Sequence, residues 1–319
     1  MRLFVTGGTG LVGSNVVATA IGRGIDVIAA QYGPEPTWGL RYLLEPLDVS
    51  DSEAVRSSIR RHRPDIVIHC ASLLDQVFMF RNRAQAWQFM VEGTDALARA
   101  CREVGARFVF VSSDWVFDGR EPLVDEGSPP FPTSFYGLMK AVSEQRLAAM
   151  DGLDWAVGRP AGVYGYNLAL PRQTRWEQGV GMGDLASHYV HCLLQNRPVR
   201  VWEGEINLAG NPTLASDLGE QLVELAISDA TGIFHLCGPE PIDRLELAHR
   251  CAEVFGGGAE RIEIVPVPRD VAEAHAGIPL PHKIAMSAER SAKKLGLHPL
   301  GVTEGLRAFR GQVDERGLP

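Results

Sequence analysis

Tyr136-Gly137-Leu138-Met139-Lys140 places a phenol and an ammonium one helical turn apart, on one face of a helix. An ordinary tyrosine titrates near ~10 and is a slow acid at neutral pH. A neighbouring ammonium stabilises the phenolate and draws the group toward a useful range. Upstream, Val111-Ser112-Ser113-Asp114 closes an apolar run with hydroxyls that can hold a carbonyl oxygen. Near the start, Thr6-Gly7-Gly8-Thr9-Gly10-Leu11-Val12-Gly13 satisfies G-x-G-x-x-G through Gly8, Gly10 and Gly13, and G-x-x-G-x-x-G through Gly7, Gly10 and Gly13. Such a loop lets a pyrophosphate approach backbone N–H groups and the positive end of the next helix. Each feature alone is weak, because the Tyr/Lys spacing is common on helix surfaces and glycine turns also serve packing. Together and in this order they describe proton delivery to a carbonyl beside a bound dinucleotide.

The elements that must carry these residues alternate from the first turn. Leu3 to Thr6 reads as a strand, Ser14 to Arg23 as a helix, and Asp26 to Ala30 as a second strand. Ser50 with Glu53 forms a capping-box pattern before a helix that ends ahead of Pro64. Asp65 to Ala71 is predicted as a buried strand, 84–104 as one long helix, Arg107 to Ser112 as a strand, and 136–150 as the Tyr/Lys helix. Nearly continuous apolar strands separated by helices imply an α/β fold, a doubly wound parallel sheet covered on both faces. After a strand at Trp155 to Gly158 the alternation weakens. Helices are predicted at Asp184 to Gln195 and from Asp243 to Phe255, with a strand at Ile262 to Val267. The expected organisation is a dinucleotide-binding Rossmann domain over 1–163 and a smaller substrate domain over 164–319, with segments near 207–245 returning to complete the first.

Composition narrows the function classes. The chain has 319 residues, 45% of them apolar, which suits about two domains at ~150 residues each. Lys and Arg total 31 against 39 Asp and Glu, a net charge of −8 with no basic block, so nucleic-acid binding is not expected. No apolar run approaches the ~20 residues of a membrane span, and Met1 leads directly into a strand, so neither anchor nor signal peptide is expected. The five cysteines (Cys70, Cys101, Cys192, Cys237 and Cys251) are scattered without a C-x-x-C pair. A reduced, cytoplasmic protein without a structural metal is the expectation. His188 and His191 lie three apart on a helix but lack further ligands, and Asp125-Glu126 reads as solvated.

The glycine loop, Ser112-Ser113-Asp114-Trp115-Val116-Phe117-Asp118-Gly119 and the Tyr136/Lys140 pair resemble the extended short-chain dehydrogenase/reductases. Asn211-Pro212-Thr213 and Asp217-Leu218 add similarity to the dTDP-4-dehydrorhamnose reductase branch, and the resemblance covers nearly the whole chain. It implies Tyr136 as proton donor, Lys140 as the ribose-binding residue that tunes it, and Ser113 as polariser of the substrate carbonyl. It also implies a cofactor surface of Gly7, Thr9, Gly10, Leu11, Val12, Gly13, Gln31, Asp48, Val49, Cys70, Ala71, Ser72 and Arg159, together with Tyr136 and Lys140. Asp114 and Trp115 would face the substrate. Arg172 and Arg175, near Trp176, read equally as diphosphate ligands or as a surface basic patch. The implied activity is NAD(P)H-dependent reduction of a 4-keto-6-deoxyhexose nucleotide; a sugar-nucleotide epimerase or dehydratase and a non-catalytic regulatory subunit stay open as alternatives.

Two positions depart from the family pattern. Gln31 is neutral where an acid would grip a ribose 2′-hydroxyl, which leans toward NADP over NAD, with Arg41 a distant partner for a 2′-phosphate. Met90-Val91-Glu92-Gly93-Thr94 carries Met where the family often has Asn. The resemblance also suggests a homodimer through helices 84–104 and 136–150.

Overall fold

The computed structural model describes residues 1–33, 36, 42–170, 184–205 and 210–316. Six strands succeed one another in the first half: β1 (Arg2–Thr6), β2 (Asp26–Gln31), β3 (Leu43–Pro46), β4 (Ile66–His69), β5 (Arg107–Val111) and β6 (Trp155–Arg159). Five follow: β7 (Val163–Tyr164), β8 (Val199–Glu203), β9 (Thr213–Leu214), β10 (Gly232–His235) and β11 (Ile262–Pro266). Among the described residues the central sheet has seven parallel strands in the order β10-β6-β5-β4-β1-β2-β3. The chain order reverses between β1 and β4, and ligands of open α/β sheets bind at such a switch point, beyond the strands' carboxyl ends.

Alternation along each strand feeds two cores. Leu3 and Val5 of β1, with Val109 and Val111 of β5, pack under the helices Leu11–Gly22 and Ala215–Ile227. Phe4, Phe108 and Phe110 face the other side, under Ser52–His62 and Gly93–Val104. Burial of both faces is why these strands read as unbroken apolar runs. A third core, around Tyr164, Tyr189, Phe255 and Phe309, is drawn from the second half of the chain, where β8 pairs with β11. Within 210–235, β10 flanks β6 and helix Ala215–Ile227 packs on Leu11–Gly22. That contact is close: a Cβ on Gly219 would lie 2.9 Å from the Asn15 backbone.

Two local expectations change. Asp51, not Ser50, caps helix Ser52–His62 by accepting the Glu53 and Ala54 N–H groups, because the Ser50 hydroxyl donates to Asp48 at 2.7 Å. The helix expected over 84–104 is interrupted: Arg83–Trp87 passes through a π-helical turn at Gln88–Glu92 into Gly93–Val104. The short strand β3 had no sequence signal of its own. Among the described residues no helix is long and apolar enough to cross a membrane.

Candidate active site

The cradle at the switch point is made by backbone and by missing side chains. Gly7 follows β1 at φ +62°, and a Cβ there would lie 2.7 Å from Ala71 N. A Cβ on Gly13 would lie 2.1 Å from Gly7 O, so the helix starts in direct contact with the loop. Gly10 differs. Its Cβ direction meets only Gly7 O, at 3.2 Å, and the residue is exposed where it caps helix Leu11–Gly22. The first-turn N–H groups of Leu11 and Val12 lack intrahelical acceptors, as at any helix start. Open space at Gly10 and these donors fit a pyrophosphate.

Other expected cofactor residues sit in the loop itself and at or just after the carboxyl ends of β2, β3 and β4. Thr9 is buried, and its carbonyl accepts Asn167 Nδ2 at 3.0 Å. Gln31 ends β2, buried, with Oε1 unpartnered among the described residues, an acceptor of the kind a ribose hydroxyl can satisfy. Val49 O sits against helix Gly93–Val104 at Gly93, where a Cβ would come within 2.7 Å, and Asp48 braces Ser50. Beyond β4 the half-buried Cys70 and Ala71 border Gly7, with Ala71 N–H donating to Thr6 Oγ1 at 3.3 Å, and half-buried Ser72 follows them.

The reactive edge lies at the end of β5. Ser134 caps helix Phe135–Ala148 by accepting the Gly137 N–H at 3.0 Å. Gly137 is required between Tyr136 and Lys140, because a Cβ would fall 2.0 Å from the Trp115 carbonyl. This contact presses the Ser113–Trp115 turn against the first turn of the Tyr136 helix. Lys140 is buried, donates Nζ to Val111 O at 2.8 Å, and lies 4.7 Å from the Phe110 ring centre and 5.7 Å from that of Tyr136. Desolvation brings its ammonium down from about 10.5 to about 8, against the opposing pull of Cys70 and Glu144. Ser113 Oγ donates to Asp114 Oδ1 at 2.9 Å and accepts the Trp115 N–H at 3.2 Å. Desolvation raises the Asp114 carboxyl to about 6, with the Ser113 hydrogen bond working against the shift. Trp115 meets Tyr136 edge-on at 6.4 Å and packs against the buried cluster of Ala272, Ile278 and Leu280, so the later part of the chain reaches this edge.

Beneath this edge are residues that the sequence reading passed over. Glu144, one turn beyond Lys140, is buried and accepts Ser112 Oγ and two Arg159 nitrogens, at 2.9 and 2.6 Å for the latter. The side chain of Arg159, a residue expected at the cofactor, is engaged with Glu144. Its guanidinium is 1% exposed, paired bidentately with Glu144, 4.9 Å from the Phe117 ring centre and 3.5 Å from His235 Nε2. A guanidinium enclosed in this way ties β6 to the Tyr136 helix. His69 is also buried; its Nδ1 lies 2.6 Å from Thr6 Oγ1 and its Nε2 3.1 Å from Thr94 Oγ1. Thr94 donates onward to Met90 O at 2.6 Å, so its oxygen accepts from His69 Nε2–H and Nδ1 accepts from Thr6. Desolvation, then the Lys140 charge, pushes the imidazole down to about 3 and keeps it neutral. Glu144 sits on the Lys140 face at i+4 and was visible in principle; His69 showed only as a polar end to an apolar strand. Arg172 and Arg175 lie outside the described residues.

The chain is similar to known proteins in sequence and in fold. Residues 1–314 match the family model described as RmlD substrate binding domain. The chain is 29% identical over 285 residues to a dTDP-4-dehydrorhamnose reductase of Mycobacterium tuberculosis, covering 84% of this chain and 82% of the relative. It is also 29% identical over 261 residues to methionine adenosyltransferase 2 subunit beta of Xenopus laevis, covering 80% and 72%. In structure it is similar to the dTDP-4-dehydrorhamnose reductase of Bacillus anthracis in complex with NADP, with a TM-score of 0.78 at 21% identity over 98% and 99% of the two chains. A Thermus thermophilus UDP-glucose 4-epimerase in complex with NAD aligns with a TM-score of 0.81 at 24% identity, over 99% and 100%. A match running from the first strand through the last helix leaves no major segment outside the comparison, and the chain belongs to the RmlD substrate binding domain family.

Proposed function

We propose that the chain is an NAD(P)H-dependent reductase of a keto sugar nucleotide, of the 4-keto-6-deoxyhexose type. One observation supports this reading: Gly137 packs the Ser113–Trp115 turn onto the helix of Tyr136 and Lys140 at the end of β5, in the sheet whose switch point carries the glycine loop. A bound reduced nicotinamide supplies the hydride for the carbonyl carbon. Ser113 holds the carbonyl oxygen, and Tyr136 Oη gives it the proton as the carbon is reduced. The Lys140 ammonium then stabilises the phenolate left on Tyr136 until solvent restores the proton. Trp115 and Asp114 border the sugar. The cradle fits either cofactor, and neutral Gln31 at the end of β2 supports NADP ahead of NAD.

The test is a panel of nucleotide-linked and free keto compounds, scored by loss of reduced-nicotinamide absorbance with each cofactor. The reading expects one NAD(P)H consumed per nucleotide-linked ketone. Turnover without net oxidation would replace it with an epimerase or dehydratase, and tight cofactor binding without any turnover would replace it with a regulatory role. A cytoplasmic homodimer through the faces of 84–104 and 136–150 belongs to the same proposal. Leu138 is exposed on that face and Arg146 pairs with Asp95 across the two helices; sedimentation at micromolar concentration tests it.

A further inference from the structure

The π-helical turn at Gln88–Glu92 places Met90 where four segments meet. Its backbone carbonyl accepts hydroxyls from two helices, Thr94 Oγ1 at 2.6 Å and Ser143 Oγ at 3.4 Å. Ser143 belongs to the helix that carries Tyr136 and Lys140. The Met90 side chain turns to a third segment, the loop after β4. Its Sδ accepts the Leu73 N–H at 3.3 Å and lies 3.7 Å from Ser72 Oγ, which also donates to Leu73 O. The fourth segment is β4 itself, reached through Thr94 and His69.

An ordinary core methionine makes no such contacts. Met79 and Met139 are buried in the same apolar cluster, and neither sulfur takes a hydrogen bond among the described residues. Met90 Sδ is as many bonds from the backbone as the Oδ1 of an asparagine would be. A thioether can therefore do the accepting half of an asparagine's work at this position, although it offers no donor. π-turns widen a helix locally and put a backbone carbonyl within reach of outside donors.

We infer that Met90 is a positioning residue: its sulfur fixes the Ser72-Leu73 loop in register with the Tyr136/Lys140 helix, and its carbonyl closes the link. The inference rests on the reading that Ala71 and Ser72 form part of the cofactor surface. Met90 makes no contact with the reacting atoms in this account. It sets the distance between the loop that borders the cofactor and the helix that delivers the proton.

The test compares Met90→Leu, which keeps the volume and removes the acceptor, with Met90→Asn, which restores one. Two readouts are taken on the full chain: hydrogen exchange of the Leu73 amide without cofactor, and the Kd for NADPH and NADH by nicotinamide fluorescence. Met90→Leu is expected to speed Leu73 exchange and weaken the tighter-binding cofactor by about fivefold each, the scale of one lost hydrogen bond. Met90→Asn is expected to restore both to within about twofold of wild type by the same reasoning. Wild-type Leu73 exchange in Met90→Leu, an unchanged Kd in that variant, or failure of Met90→Asn to improve on it would each overturn the inference. If wild-type protein binds neither cofactor, the cofactor reading falls, and the Leu73 exchange alone decides the role of Met90. A thermal midpoint within about 3 °C of wild type shows that each variant is folded.

Discussion

The two sides of the candidate site are built by opposite means. The cradle side is backbone: Gly7 at φ +62°, Gly13 against Gly7 O, and a helix start whose donors face outward. Its residues are contiguous, and their function lies in the side chains they lack. The reactive side is made of buried polar side chains drawn from distant segments: Ser112 and Ser113 after β5, Lys140 and Glu144 on one helix, Arg159 on β6, and His69 on β4. There the low-dielectric interior amplifies both the gain of a matched charge and the cost of a mismatched one. The first side tolerates no added volume at Gly7 or Gly13, and the second no loss of the carboxylate that pairs Arg159.

Substitutions can break this contrast if it is false. The largest effect on stability is expected at Glu144→Ala, which strands the Arg159 guanidinium in the core and should cost about 3–5 kcal/mol, read by denaturant unfolding. Glu144→Gln should lose less than Glu144→Ala, because its amide oxygen still accepts from Ser112 and one Arg159 nitrogen while its NH2 cannot accept from the other.

Lys140→Met should lower turnover by about 10²–10⁴-fold, as expected for loss of acid–base function. Its thermal midpoint should nevertheless be preserved or raised. The sign follows from the direction of the shift. Burial depresses the ammonium from about 10.5 to about 8, so the charged form is penalised in the folded protein. That penalty is fully present below about pH 8 and is relieved as pH rises from about 8 to about 10.5. Turnover should move the other way, declining above about pH 8 as Lys140 loses its proton. A pH–rate profile and a pH–melting profile on the same protein check both signs, and parallel curves would refute the assignment.

On the cradle side, Gly13→Ala should cost about 1–3 kcal/mol through overpacking against Gly7 O and should weaken cofactor binding with it. Gly10→Ala is the smallest expected effect. With only Gly7 O near its added methyl, stability should stay within about 0.5 kcal/mol of wild type, while cofactor affinity falls. Calorimetric binding beside thermal melts separates the two glycines; equal losses at both would remove the distinction between packing and ligand approach.

The same contrast explains what the sequence could show. Contiguous chemistry was legible: the glycine loop, the Tyr136/Lys140 spacing and the parallel α/β order all follow from local periodicity and motif. Long-range polar pairing was not. Arg159 beside Pro160 carried no mark of its bidentate partner fifteen residues away, and it was read as a cofactor ligand. Met90 read as the loss of a polar group, because a thioether's capacity to accept depends on which N–H the fold brings to it. The π-turn that exposes its carbonyl leaves no trace in apolar spacing, and Gly137 looked like filler until Trp115 O appeared against it. Strand β3 escaped notice because four residues with Glu45 buried among them form no pattern.

The central claim is that Tyr136 delivers the proton in a net reduction. A single-turnover measurement with a nucleotide-linked 4-keto-6-deoxyhexose and NADPH tests it most directly, with absorbance followed for wild type and Tyr136→Phe. Wild type is expected to oxidise NADPH stoichiometrically, and Tyr136→Phe to react at least about 10²-fold more slowly with cofactor affinity retained. Equal rates in the two proteins, or product formed without net oxidation, would contradict it.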